Sequence, residues 1–440
     1  MLLPEDLRSW IPEDDMVHFV VETIEGLSLS KGLGVNERGT GSKQYPPRMM
    51  LMLLVYCYSQ GVFSSRKIER ATHRDIAVRY LAGNLHPDHD TIARFRRSNP
   101  DLLQECFEKV LLLAKDCGIL KIGRVSVDGT HIYADASIDK NLTADRAAEI
   151  EAQVNKDVEA LLAEAEACDS EEGGPDGDTL PEALASREKI RERVRLVREE
   201  ADRRAVERHE KAVWEHAEKV RKREASADKR GGRIKPPPAA PEVKGGEQIN
   251  LTDPGSRVMR KSKRSSCTQS YNAQAVVSNE SMLIVGNHVS QCSNDSGELL
   301  PAVASIPKAL GQPDELLADS SYGSATAVEG LKAAGIEGYI SIGGESQHRD
   351  RSYDYRPREP KPPPDPKAPW RVEMKAKLET EEGRQIYRER FHTVEPVFGI
   401  IKEALGFRQF SMRGLAKVEA EWELVATAYN LKRMFNLLRA

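Results

Sequence analysis

Val125-Ser126-Val127-Asp128-Gly129-Thr130-His131-Ile132-Tyr133-Ala134 is the first stretch of this 440-residue chain to alternate rather than repeat every three or four residues. With Val125, Val127 and Ile132 apolar it reads as a strand, bulged at Gly129, with Asp128 near its middle. The sequence before it reads as helical. Residues 46–59, 66–81, 90–97 and 102–115 each set apolar side chains at three-to-four spacing, and Asp90 is placed to cap the helix holding Arg94, Arg96 and Arg97.

Beyond the strand, residues 141–249 change abruptly to Glu, Ala, Arg and Lys. Two long charged helices are predicted there, about 143–168 and 182–229, separated by a Gly- and Asp-rich run at 173–178 and left through Pro236-Pro237-Pro238. Their apolar positions are mostly alanine and valine, a thin seam. The second arm is dense in arginine, including Arg187, Arg191, Arg195 and Arg198, which suggests a partner from outside, either DNA or a twin subunit. The bland alternative is a solvated arm.

Strand signals resume at 271–277 and 282–289. A helix follows at 296–310, then a strand ending at Asp319, a helix at 325–334 and a strand at 337–342. Residues 347–369 are rich in Arg, Asp and Pro and read as an exposed loop, before two long helical stretches at 371–406 and 415–439. This order is three strands, helix, strand, helix, strand, helix, with one long insertion after the first strand. It is the order of an RNase H-like fold: a mixed five-stranded sheet flanked by helices, here joined to an all-α amino-terminal domain and a charged helical-hairpin insertion. The corresponding bounds are 1–120 for the helical domain, 121–140 and 250–440 for the α/β core, and 141–249 for the insertion.

The totals bound the function only loosely. A formal charge of −4 and a pI near 6.3 give no global sign of nucleic-acid binding, although Arg257, Arg260, Lys261, Lys263 and Arg264 form a local basic run suited to phosphate. The six cysteines, at 57, 106, 117, 168, 267 and 292, form no C-x-x-C pair, which argues against a zinc ribbon or a disulfide framework. Residues 1–30 lack a basic start followed by an apolar run, and the longest apolar stretch, 49–58, is too short for a bilayer, so a cytoplasmic protein is expected.

Three carboxylates could carry chemistry. Asp128 lies on the first strand, Asp319 follows the fourth, and Glu395 lies in the run Tyr387-Arg-Glu-Arg390-Phe-His-Thr-Val-Glu395-Pro-Val-Phe-Gly-Ile-Ile-Lys402, seven residues before Lys402 and so on one helical face with it. Each has a plainer reading. Asp128 before glycine suits a turn, Asp319 before Ser-Ser-Tyr-Gly suits the entry to a helix, and Glu395 suits a solvent face. Together they fall where two hard divalent cations would find oxygen ligands.

Asp128-Gly-Thr-His-Ile-Tyr-Ala-Asp-Ala-Ser, Tyr271-Asn-Ala-Gln-Ala, Leu317-Ala-Asp319-Ser-Ser-Tyr-Gly-Ser and the Tyr387, Arg390, Glu395, Lys402 run resemble bacterial insertion-sequence transposases of the DDE type. His86-Pro-Asp-His-Asp-Thr-Ile-Ala-Arg-Phe-Arg96 is similar to that family's helical amino-terminal domain. The runs from Gly406 to Gly414 and from Tyr429 to Arg433 are similar to its last segment. The resemblance implies catalysis and metal binding by Asp128, Asp319 and Glu395 with two Mg²⁺ or Mn²⁺ ions. It also implies contact of Tyr387, Arg390 and Lys402 with double-stranded transposon-end DNA, joining to target DNA, and a homodimer. Four residues separate Arg390 from Glu395 where the family signature has three, and in an unbroken helix Arg388 would share the stripe of Glu395 and Lys402, so both arginines remain candidates for the DNA contact. Asp135, Asp139, His131 and His392 are weaker candidates near the site, and Phe407, Phe410 and Trp422 read either as core or as a base-stacking surface. A metal-dependent nuclease without strand transfer and an inactive DNA-binding descendant are the rival functions.

Overall fold

The alternating stretch is a strand, β1 (Arg124–Tyr133), and it lies in the middle of a mixed sheet. The computed structural model describes residues 6–32, 44–170, 180–225, 235–237, 239–260, 265–343 and 368–439. The chain divides into two compact units, residues 1–134 with 271–440 and residues 135–270.

In the first unit β1 has β5 (Thr268–Ser278) on one side and β7 (Glu315–Ala318) on the other, with β8 (Glu337–Ile340) outside β7. β7 is parallel to both β1 and β8, whereas β6 (Ile284–Ser290) pairs antiparallel with β5. The parallel strands are short apolar runs such as Leu316-Leu317-Ala318, buried as expected for strands covered on both faces.

One helix carries much of the packing. α14 (Leu415–Leu438) packs on α2 (Pro47–Ser59), α6 (Pro100–Asp116) and β6, and buried residues surround most of its circumference, from Val418 through Trp422 and Tyr429 to Met434. Its polar side chains find backbone partners: Trp422 Nε1 donates to the Gln274 carbonyl at 2.9 Å, and the Asn430 amide exchanges two 2.8 Å hydrogen bonds with Ile284 N–H and C=O. Asn430 thereby supplies the pairing that a further strand would offer that residue of β6. A buried group of Tyr58, Arg96 and Glu421, with Glu421 also accepting from the amides of Ser411 and Met412, ties α2, α5 (His89–Ser98) and α14 together.

Several predicted helices are divided. The stretch at 66–81 is α3 (Ser65–Arg74) and α4 (Ile76–Leu81), because the Asp75 carboxylate accepts from Val78 N–H and starts a new helix. Asp88, not Asp90, caps α5, accepting from Thr91 N–H at 2.8 Å. Residues 371–406 are not one helix but α11 (Pro369–Glu379), α12 (Glu381–Arg388), a 3₁₀ turn (Glu389–His392), α13 (Val394–Gly399) and a π-helical turn (Ile400–Ala404). The loop expected at 347–369 lies almost wholly outside the described residues.

In the second unit β2 (Asn141–Thr143) pairs antiparallel with β3 (Gln248–Asn250), and two long helices follow from β2, α7 (Ala144–Ser170) and α8 (Leu180–Ala225). Their seam is built of alanine and valine as expected, and Ala147, Val194, Val197 and Ala201 close on Ile249 of β3. The arginines of the second arm are largely answered within the unit. Arg187 pairs with Asp157, Arg198 with Glu151, and Arg204 with Glu200 and Glu247. No described helix is long and apolar enough to cross a membrane.

Candidate active site

The register that pairs Ser126 of β1 with Leu317 of β7, carried two residues further, sets Asp128 abreast of Asp319. Parallel strands in that register turn both side chains to one face. Asp128 Oδ1 accepts from Gly129 N–H at 2.9 Å, and Asp319 caps the 3₁₀ turn at Ser320–Tyr322, its Oδ1 accepting from Ser321 N–H at 2.8 Å. The other oxygen of each faces one guanidinium: Arg390 Nη2 lies 3.2 Å from Asp128 Oδ2 and 3.8 Å from Asp319 Oδ2.

The broken helix puts Arg390 there. The 3₁₀ turn at Glu389–His392 interrupts the stripe that would have run from Arg388 through Glu395 to Lys402. The turn is anchored on both sides, since Glu389 accepts from Arg124 at 2.5 Å and from Asn279 at 3.0 Å, while Tyr387 is buried with Leu317, Tyr339 and Ile386. Arg390 is 5 % exposed and its Nε has no hydrogen-bond partner. Arg388 is exposed.

Charge at the site is held at a cost. Burial pushes the Asp128 carboxyl up to about 7, against the downward pull of Arg390 and with a further upward push from Asp319 and Asp295. The facing carboxylates of Asp128 and Asp319, with Glu395, in turn raise the Arg390 pKa despite its burial. Tyr322 is fully buried, its phenol pushed far up by burial and by Asp295, Asp128 and Asp319, and its hydroxyl bonds Gln274 Oε1.

The expected three-carboxylate cluster is not assembled here. Glu395 is exposed on the first turn of α13, and among the described residues no three Asp, Glu, His or Cys side chains are gathered closely enough to hold a metal ion. Arg390, rather than Glu395, is the side chain that meets both aspartates. Two carboxylates turned on one cation are nevertheless the hard oxygen donors that a divalent ion takes, so the aspartate pair fits such an ion.

The proposed DNA contacts are also differently placed. Arg390 and Tyr387 face the interior. Lys402 bonds Thr130 Oγ1 and, at 2.8 Å, the His131 carbonyl, which fastens the π-helical turn to β1 just past Asp128. Arg257 donates to the Pro254, Gly255 and Ser256 carbonyls and to Glu200, while Arg260 is exposed. Lys261, Lys263 and Arg264 lie outside the described residues. Phe407, Phe410 and Trp422 are fully buried and pack on one another, which settles them as core rather than a stacking surface.

One site residue escapes sequence reasoning. Asp295, in the loop after β6, accepts from Asn272 at 2.9 Å and Gln274 at 2.7 Å through Oδ1, and from the Ser321 hydroxyl at 3.2 Å through Oδ2. The signal was the pair of amides Asn272 and Gln274 at period two in a buried strand, since buried amides require partners. Gly129 leaves them room: a Cβ there would stand 2.1 Å from Gln274 Nε2, 2.4 Å from Asp295 Oδ1 and 2.8 Å from Asn272 Oδ1.

Residues 5–98 match the family described as a transposase domain (DUF772), and residues 367–435 match the transposase DDE domain. No curated protein and no solved structure matches the chain. The second match contains Tyr387, Arg390, Glu395 and Lys402, the segment that closes over the paired aspartates, and the first covers the helices that share a core with α14. The two matched segments support an insertion-sequence transposase of the DDE type.

Proposed function

We propose that the chain is a working DNA transposase that cuts at the ends of its element by hydrolysis and joins the exposed 3′-hydroxyl to target DNA. Its sheet would be an RNase H-like core contributed by 121–140 and 250–440, with 1–120 as the helical domain and 141–249 as an insertion. The observation that carries this reading is the convergence of Asp128 and Asp319 on one buried cation from adjacent parallel strands. The strand arrangement, with β1 between β5 and β7 and β6 antiparallel to β5, supports it.

In this reading Asp128 and Asp319 hold divalent metal, Mg²⁺ or Mn²⁺, between them. Bound metal would lower the pKa of the attacking water or hydroxyl and stabilise the leaving oxygen. The protein's own groups do the rest. Gly129 N–H orients one Asp128 oxygen, the Ser321 N–H and hydroxyl orient one Asp319 oxygen, and Lys402 fixes the strand beyond Asp128. Arg390 supplies the positive charge that lets two carboxylates lie together before metal arrives. Exposed Arg388 and Arg260 are the proposed contacts to DNA phosphates, and a dimer would hold two ends at once.

The test is a strand-transfer assay with the full chain, Mg²⁺, a labelled duplex carrying the element's end, and a supercoiled plasmid. Labelled 3′ ends joined to plasmid are the expected product. Cleavage without joining would indicate a nuclease, and end binding without either reaction would indicate an inactive descendant.

A further inference from the structure

Asp295 lies beside the aspartate pair, and both of its oxygens meet protein donors. Oδ1 takes the amides of Asn272 and Gln274, both almost fully buried, and Oδ2 faces the Ser321 hydroxyl. Ser321 also bonds Asp319 Oδ1, through its hydroxyl at 2.5 Å and its N–H at 2.8 Å. A serine hydroxyl has one proton, so Asp295 and Asp319 share it, and the Ser321 rotamer is held between the two carboxylates. The same Asp295 oxygen that gathers the two amides lies where Gly129 would carry a Cβ, so the cluster packs directly against the residue that follows Asp128.

We infer that Asp295 is a positioning residue for the metal-holding pair: through Ser321 it sets the direction of the Asp319 carboxylate, and through Asn272 and Gln274 it fixes the strand beside Asp128. Its Oδ1 is taken by two buried amides and its Oδ2 faces the Ser321 hydroxyl, so its role in this inference is to place the neighbouring groups rather than to bind the ion. The inference rests on the reading of Asp128 and Asp319 as a metal-holding pair. Groups that hold a metal-binding carboxylate in place tune its geometry, and removing one weakens metal binding by about 10- to 100-fold.

The test measures Mn²⁺ affinity of the full-length protein without DNA, from the electron paramagnetic resonance signal of free Mn²⁺, with circular dichroism melting in parallel. Asp295→Ala should weaken Mn²⁺ binding by about 10- to 100-fold, and Ser321→Ala, at an exposed position, by about tenfold. Asp295→Asn keeps an acceptor for the two amides and a polar group toward Ser321, so it should restore most of the affinity lost in the alanine variant. The double alanine variant should lose less than the two single losses combined, as expected when both act along one connection.

Wild-type affinity in a folded Asp295→Ala protein would overturn the inference. An Asp295→Asn variant as weak as the alanine variant would overturn it too, because charge rather than placement would then be the contribution. If Asp295→Ala does not fold, Ser321→Ala decides: unchanged affinity refutes the relay. A wild-type protein that binds no Mn²⁺ would overturn the metal-holding pair itself, a failure distinct from the others.

Discussion

Arg390 shows how one residue reconciles two buried acids. Asp128 and Asp319 lie abreast on parallel strands where unpaired charges would repel, and a guanidinium within 4 Å of both offsets that repulsion. A second acidic residue, Glu423 on α14, has only the weaker pull of Lys31 against its acidic neighbours. Burial first, then Glu419, Glu108 and Asp101, together raise its pKa to about 8. A carboxyl whose folded-state pKa is raised holds its proton more tightly when folded, so this group contributes stability below about 4.5 that is lost as pH rises towards about 8. Glu423→Gln should therefore raise the melting temperature at pH 8.5 by about 2 °C or more and leave it unchanged at pH 4. A gain of equal size at both pH values would show that packing, not ionisation, is responsible.

At the scale of elements, α14 both fills the core and completes the sheet. Asn430 is fully buried and gives Ile284 of β6 both of its hydrogen bonds. Asn430→Leu keeps the volume but leaves a buried N–H and C=O unpaired, so it should cost about 2–4 kcal/mol in urea unfolding. A loss under about 0.5 kcal/mol would mean that water replaces the amide. Five strands were legible in the sequence because their signals, alternation in β1 and a short apolar run in β7, are local: β1, β5, β6, β7 and β8 lie where these predict them, whereas the three-residue β2 and β3 were missed. The divisions of the helices were not. Asp75 and the turn at Glu389–His392 interrupt runs whose apolar spacing continues across them, and the anchors that fix that turn, Arg124 and Asn279, lie far away in sequence. This is why Arg390 and not Arg388 reaches the aspartates. Asp295 was missed for the same reason, since its partners Asn272, Gln274 and Ser321 belong to other elements.

For the whole molecule, two features separate chemistry from accessory structure. Asp128, Asp319, Arg390 and Lys402 all belong to the first unit, as do the residues of both transposase matches. The second unit has its own small core and answers most of its own charges, so the thin seam read from sequence underestimated it: Ile249, which completes that core, comes from the strand that follows α8. The central claim is that Asp128 and Asp319 act together on DNA phosphate through bound metal. Its most direct test compares wild-type protein with Asp319→Asn for Mg²⁺-dependent cleavage of the element's end, with end-binding affinity measured on the same preparations. The account predicts a loss of cleavage of at least about 10²- to 10³-fold with binding retained, and cleavage by Asp319→Asn at the wild-type rate would contradict it.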